Sequence, residues 1–230
     1  MTLNLGLQSI FNPSGNYLIS LKKNYEVRPM PNLNINKYIV SSQVDIRQAM
    51  KKLDDSHRKI LFVVQDDFLL YGALTDGDIR RWILSGNSFD ELVENVCNKK
   101  PISFEVFGDT FNEMLKQAII INSWGRNVYV KIPVVNSKGL YCGKVIKILS
   151  KRGIKLNITA VYTINQVRKI IKSINKNSKT IISIFSGRMS DVGKDPVPII
   201  KKSVQLTKKM KKVEILWAST REAYNYLQAK

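Results

Sequence analysis

Four polar residues stand inside apolar, strand-forming stretches at one constant interval. Glu105 in ISFEVF, Lys131 in NVYVKIPVV, Asn157 in IKLNITAVY and Ser183 in TIISIFSG follow one another every 26 positions. Lys131 alone reads first as a lysine whose stem crosses apolar ground while its head reaches water at a strand end. Four such residues at one period read as a site. One strand, one helix and two loops fill about that length, and polar residues at equal depth in neighbouring parallel strands converge on one end of a sheet or barrel. The chemistry that an amine, a carboxylate, an amide and hydroxyls can do together is imine chemistry. A neutral amine attacks a carbonyl, the iminium draws electrons from the adjacent C–C bond, and a carboxylate with a hydroxyl-bound water moves the proton. A low-dielectric strand interior would favour the neutral amine.

The elements that must position these residues alternate through 101–230. Strands are expected at 102–107, 127–135, 154–162, 180–187 and 213–219, with helices at 111–121, 144–149, 165–174 and 196–210. Alternation of this kind implies about five parallel strands with crossover helices, and Pro133 should end the ladder of its strand. Residues 37–100 have a different grammar. DIRQAMKKLDD carries apolar residues at helical spacing, ILFVV (60–64) and FLLYGAL (68–74) are strands joined at Asp66-Asp67, and TDGDIRRWILSG opens a helix with Thr75 at its N-cap and Gly86 beyond its end. Residues 1–36, with NPSG and RPMPN, read as an irregular arm.

Composition narrows the function further. Two cysteines without metal-ligand spacing and a single histidine, His57, argue against a zinc site and against Ser-His or Cys-His catalysis, so no metal or cofactor is expected. The N-terminus lacks a basic signal-peptide region and no apolar run approaches a bilayer span, which predicts a cytoplasmic location away from membranes. The formal net charge of +19 is large. Read along the chain, its lysines are dispersed, and the densest clusters, Lys201-Lys202 and Lys208 to Lys212, border an amphipathic helix as a solvated face. Anionic small ligands such as sugar phosphates suit the charge, and nucleic acid is not the expected partner.

Two resemblances follow from these motifs. The helix–strand–strand–helix pattern with GALTDGDIRR at its join resembles a CBS motif. That resemblance implies contact of Thr75 and Asp78 with the phosphate and ribose of an adenine nucleotide, beside the plainer reading of an N-cap and a first-turn acid. SFEVF, WGRNVYVKIPVVNSKG, GIKLNITAVYT, ISIFSGRMSDVGKDP and EILWASTRE resemble the transaldolases and the related fructose-6-phosphate aldolases. The second resemblance implies part of a (β/α)8, TIM-like barrel and a Schiff base on Lys131. It also implies that Glu105 and Thr159 serve the catalytic water, that Asn157 and Ser183 contact substrate with Phe185 lining the pocket, and that Arg188, Ser219 and Arg221 hold a sugar phosphate. The chain enters that pattern at the third family strand and stops after the seventh. Asn12-Pro13-Ser14 echoes the second strand, or is a simple turn. Self-association and weak or absent turnover by this chain alone are expected on that account.

Overall fold

The computed structural model describes residues 35–65 and 68–229. The expected arm, with Asn12-Pro13-Ser14, lies outside the described residues except for 35 and 36, which enter a 3-10 turn at Ile35–Tyr38. The Asp66-Asp67 join also lies outside them.

The first of two units holds the described residues up to Ile102 together with Ser123–Val128. Strand β1 (Ile39–Ser41) runs parallel to β2 (Ile60–Val64), and β2 runs antiparallel to β3 (Leu70–Thr75). Helix α1 (Ile46–Ser56) links β1 to β2 and starts where the Asp45 carboxylate accepts the Gln48 N–H. It buries Ile46, Ala49 and Leu53, one stripe at helical spacing, against Leu61, Val63, Leu74 and Ile79. Helix α2 (Asp76–Leu84) follows β3, Gly86 takes a positive φ beyond its end, and α3 (Val93–Val96) adds Val93 to the core.

The second unit holds Ser103–Asn122 and the chain from Tyr129 onward. Its elements run β4 (Ile102–Glu105), α4 (Phe111–Ser123), β5 (Val128–Pro133), α5 (Gly143–Lys151), β6 (Leu156–Val161), α6 (Ile164–Ser173), β7 (Thr180–Ile184), α7 (Ser186–Ser190), α8 (Val197–Thr207), β8 (Val213–Trp217) and α9 (Tyr224–Gln228). The five strands form one parallel sheet in the order β4-β5-β6-β7-β8, so the fold is α/β. Val130, Ile132, Leu156, Ile158, Ile182 and Ile184 form one face of the sheet. They are fully buried, as are Val145, Ile146, Leu149, Val167 and Ile170 on α5 and α6. Burying each such side chain contributes about 1.5–3 kcal/mol, so this apolar layer holds the sheet to its helices. The other face carries Tyr129, Lys131, Asn157, Thr159 and Ser183, by the two-residue alternation of a strand. No helix among the described residues is long and apolar enough to cross a membrane.

The register corrects one expectation. Val106 N–H donates to the Lys131 carbonyl, which sets Glu105 level with Lys131, and Lys131 pairs with Asn157. Asn157, however, pairs with Ile181, so Ser183 sits two residues further along its strand instead of at equal depth. The β6-to-β7 repeat is two residues shorter than its predecessors. An even difference preserves the face a side chain occupies, and Ser183 therefore still joins the polar set.

Candidate active site on the parallel sheet

Lys131 is 7% exposed in the middle of β5. Its ammonium lies 3.2 Å from the Glu105 carboxylate, whose side chain is 40% exposed. The charge placed beside this lysine is thus a carboxylate from the neighbouring strand. Next in the same layer is Asn157, 1% exposed. Its Oδ1 accepts from Ser183 Oγ at 2.6 Å and its Nδ2 donates to Ser103 Oγ at 3.0 Å, so the amide is fixed at both ends across three strands. Below this layer Tyr129 is buried, and burial, then the Glu214 charge, push its phenol pKa up.

Thr159 lies two residues beyond Asn157 and is 2% exposed, yet its hydroxyl has no hydrogen-bond partner among the described residues. Its neighbour Ala160 has φ +57, in the left-handed region disfavoured for residues with a Cβ, and the β6–β7 register shifts at this point. A bulge with one strained residue places this buried hydroxyl in the polar face. Buried polar groups are normally satisfied, so this hydroxyl stands out within the polar face.

A second group gathers at the C-terminal ends of β7 and β8. Arg221 Nη2 and Arg188 Nη1 approach the same Asp191 oxygen, at 3.0 and 3.7 Å. Asp191 therefore collects two guanidinium groups that are 33 residues apart in sequence. Gly187 holds the loop beneath them, because a Cβ there would lie 1.5 Å from the Ser219 carbonyl oxygen. Ser219 has φ +60, and Asn225 Oδ1 accepts the Arg221 and Glu222 N–H groups. Phe185 meets Tyr162 edge to face at 5.6 Å.

Thr75 and Asp78 are engaged with each other. Thr75 Oγ1 accepts the Asp78 N–H, while Asp78 Oδ2 accepts the Thr75 N–H at 2.9 Å and its hydroxyl at 2.5 Å, a reciprocal capping box at the start of α2. Asp78 also pairs with Arg81 at 2.6 Å. Asp78→Ala is therefore expected to destabilise the chain by about 1 kcal/mol through the lost cap, read as a shift in the urea midpoint. A parallel titration with AMP separates this loss from any lost nucleotide affinity, and an unchanged midpoint would remove the capping account.

Sequence reasoning missed Ser103, Asp191 and Tyr162. Ser103 carries a readable signal, since it stands two residues before Glu105 and so shares its face. Asp191 and Tyr162 act across loops, where spacing carries no contact information.

Comparisons with known proteins identify the family. The family model for transaldolase/fructose-6-phosphate aldolase matches residues 35–230, and so runs through both units. The protein "Probable transaldolase" of Streptococcus equi subsp. zooepidemicus is 38% identical over 117 residues, covering 50% of this chain and 51% of its own length. The protein of that name from Streptococcus pyogenes serotype M1 shows the same identity and coverage. The chain thus spans about half the length of the curated relatives it matches. Among solved structures, a CBS domain protein of Pyrobaculum aerophilum complexed with AMP has a TM-score of 0.29 at 17% identity, over 45% of this chain and 74% of that one. A CBS-domain containing protein of Agrobacterium tumefaciens has a TM-score of 0.30 at 17% identity, over 54% and 98%. Likeness at that level assigns nothing to this chain. With a family model that matches residues 35–230, this chain belongs to the transaldolase/fructose-6-phosphate aldolase family.

Proposed function

We propose that the parallel sheet is part of a (β/α)8-type barrel whose Lys131 forms a Schiff base with a ketose phosphate, and that the first unit is a CBS-like accessory. The observation that carries this reading is the buried Lys131 amine 3.2 Å from Glu105, level with the doubly fixed Asn157 amide. The ammonium gives its proton to Glu105, and the neutral amine adds to the ketone carbon. The carbinolamine then takes that proton back from Glu105 and loses its hydroxyl as water, leaving an iminium and a free carboxylate. The C3–C4 bond breaks toward that electron sink, giving an enamine and releasing an aldehyde, while the C4 hydroxyl proton leaves through a water held by Glu105 and the unpartnered Thr159 hydroxyl. Asn157 and Ser183 hold substrate hydroxyls, Phe185 lines the pocket, and Arg188, Ser219 and Arg221 take the phosphate.

Borohydride reduction in the presence of fructose 6-phosphate or dihydroxyacetone tests this. The expected result is one stable adduct, placed at Lys131 by peptide mass mapping and absent in Lys131→Arg, because guanidinium stays protonated and does not attack a carbonyl. Labelling spread over the surface lysines without preference for Lys131 would overturn the reading. Through Thr75 and Asp78 the first unit would contact an adenine nucleotide, which calorimetric titration with AMP and ATP tests directly.

A further inference from the structure

The net charge is unevenly divided between the two halves of the chain. Residues 35–102 contain ten cationic and ten anionic side chains, whereas residues 103–230 contain 24 and seven. A compositional bias toward lysine would raise both units alike, and it gives no reason for carboxylates to vanish. Yet no Asp or Glu occurs between Glu113 and Asp191. The fold then concentrates the cations. Three successive loops lead into β6, β7 and β8 and so lie side by side at the N-terminal pole of the sheet, away from the strand ends that bear the arginine loop. They carry Lys151, Arg152 and Lys155, then Lys176 and Lys179, then Lys208, Lys209, Lys211 and Lys212.

The register makes the gathering explicit. Leu156 N–H donates to the Lys179 carbonyl and Thr180 N–H to the Lys212 carbonyl, so Lys155, Lys179 and Lys212 stand on adjacent strands, about 5 Å apart from one strand to the next. Lys212 Nζ also bonds the Asn177 carbonyl at 3.0 Å, tying the second loop to the third. Burial, and then the charge of Lys179, hold the Lys155 pKa down, as expected where like charges crowd. Toward their C-terminal ends, helices α5 and α6 extend the surface with exposed Lys147, and with Arg168, Lys169 and Lys172. Val145, Ile146, Leu149, Val167 and Ile170 of these helices are buried in the core and their other apolar residues are partly covered, which leaves little to enter a lipid layer. The Tyr129 ring is covered by Lys155 at 5.6 Å and offers no stacking platform.

We infer that the N-terminal pole of this sheet is a docking surface for the phosphate backbone of nucleic acid, bound without sequence preference. A surface built mostly of lysine ammonium groups, which are point charges and not planar forks, recognises charge density above base identity. The surface lies in the same unit as the proposed active site but shares no residue with it, so its test is independent of imine trapping.

Fluorescence anisotropy of the full chain with a labelled duplex of about 20 base pairs of arbitrary sequence reads the interaction. With about five phosphates neutralised, affinity should fall about 500-fold between 50 and 200 mM salt, with a slope near −4.5 in log–log form. The triple variant Lys176→Glu, Lys179→Glu, Lys211→Glu should weaken binding at least tenfold. The neutral triple Lys176→Gln, Lys179→Gln, Lys211→Gln should reduce the slope by about 2.7. Lys51→Glu, Arg58→Glu, Lys59→Glu in the first unit makes the same change in net charge and should alter binding less than threefold. Circular-dichroism melts confirm that each variant folds. Undetectable binding at low salt, equal weakening by the two charge-reversed triples, or preferential capture by phosphatidylserine vesicles would each overturn the proposal.

Discussion

Lys131→Met is expected to abolish borohydride trapping while leaving the protein as stable as before or more so. A methionine fills nearly the same volume without a charge to desolvate, and the Glu105 carboxylate it leaves behind is 40% exposed and so hydrated. Replacement of a buried ion pair by apolar residues is often neutral or stabilising. We expect a gain of about 1 kcal/mol, read as an increase of about 2–4 °C in melting temperature. A lysine kept for structure gives the opposite outcome, a loss of stability with no change in labelling. A fall in melting temperature of more than a few degrees would mean that Lys131 holds the sheet together and that its chemistry is incidental.

The second large effect is expected at Gly187. The Cβ of an alanine there would sit 1.5 Å from the Ser219 carbonyl oxygen and 2.7 Å from its carbon, both backbone atoms. The α7 turn and the β8 loop must separate, and they carry Arg188, Ser219 and Arg221. Gly187→Ala should therefore lower stability by about 2–4 kcal/mol and weaken inorganic phosphate binding more than tenfold in calorimetry. Gly77→Ala is the control. Its Cβ would meet the movable Arg81 guanidinium at 3.3 Å, within the first turn of α2, so a gain of up to about 1 kcal/mol is expected from the better helix former. Equal effects of the two alanines would show that the close approach at Gly187 does not hold the loop.

What the sequence made legible follows from how local each signal is. The strands β4 to β8 and their crossover helices were readable because the core residues repeat at fixed periods, and Thr75 was readable as a cap because its partner Asp78 is three residues away. The convergence of Glu105, Lys131 and Asn157 was readable from equal spacing, and the level of Ser183 was misjudged because spacing does not report register. Strand β1 was missed since three residues are too few to display an alternation. Asp191, the strain at Ala160 and the lysine-rich pole depend on which loops come together, and a linear reading of charge dispersed what the sheet gathers.

Strand order in the sheet is strand order in the chain. Each strand pairs with the one made just before it, through residues 23 to 33 positions earlier. A chain emerging from the ribosome can therefore add strands one at a time, and no paired edge must wait for a distant segment. The polar set is assembled in the same sequence. Lys131 meets Glu105 when the second strand docks, while water still reaches both, and Asn157 and Ser183 close over them only afterwards. The unfavourable transfer of the lysine charge out of water is deferred until its counter-ion is already in place, so growth of the sheet never passes through a state with an unpaired buried ammonium.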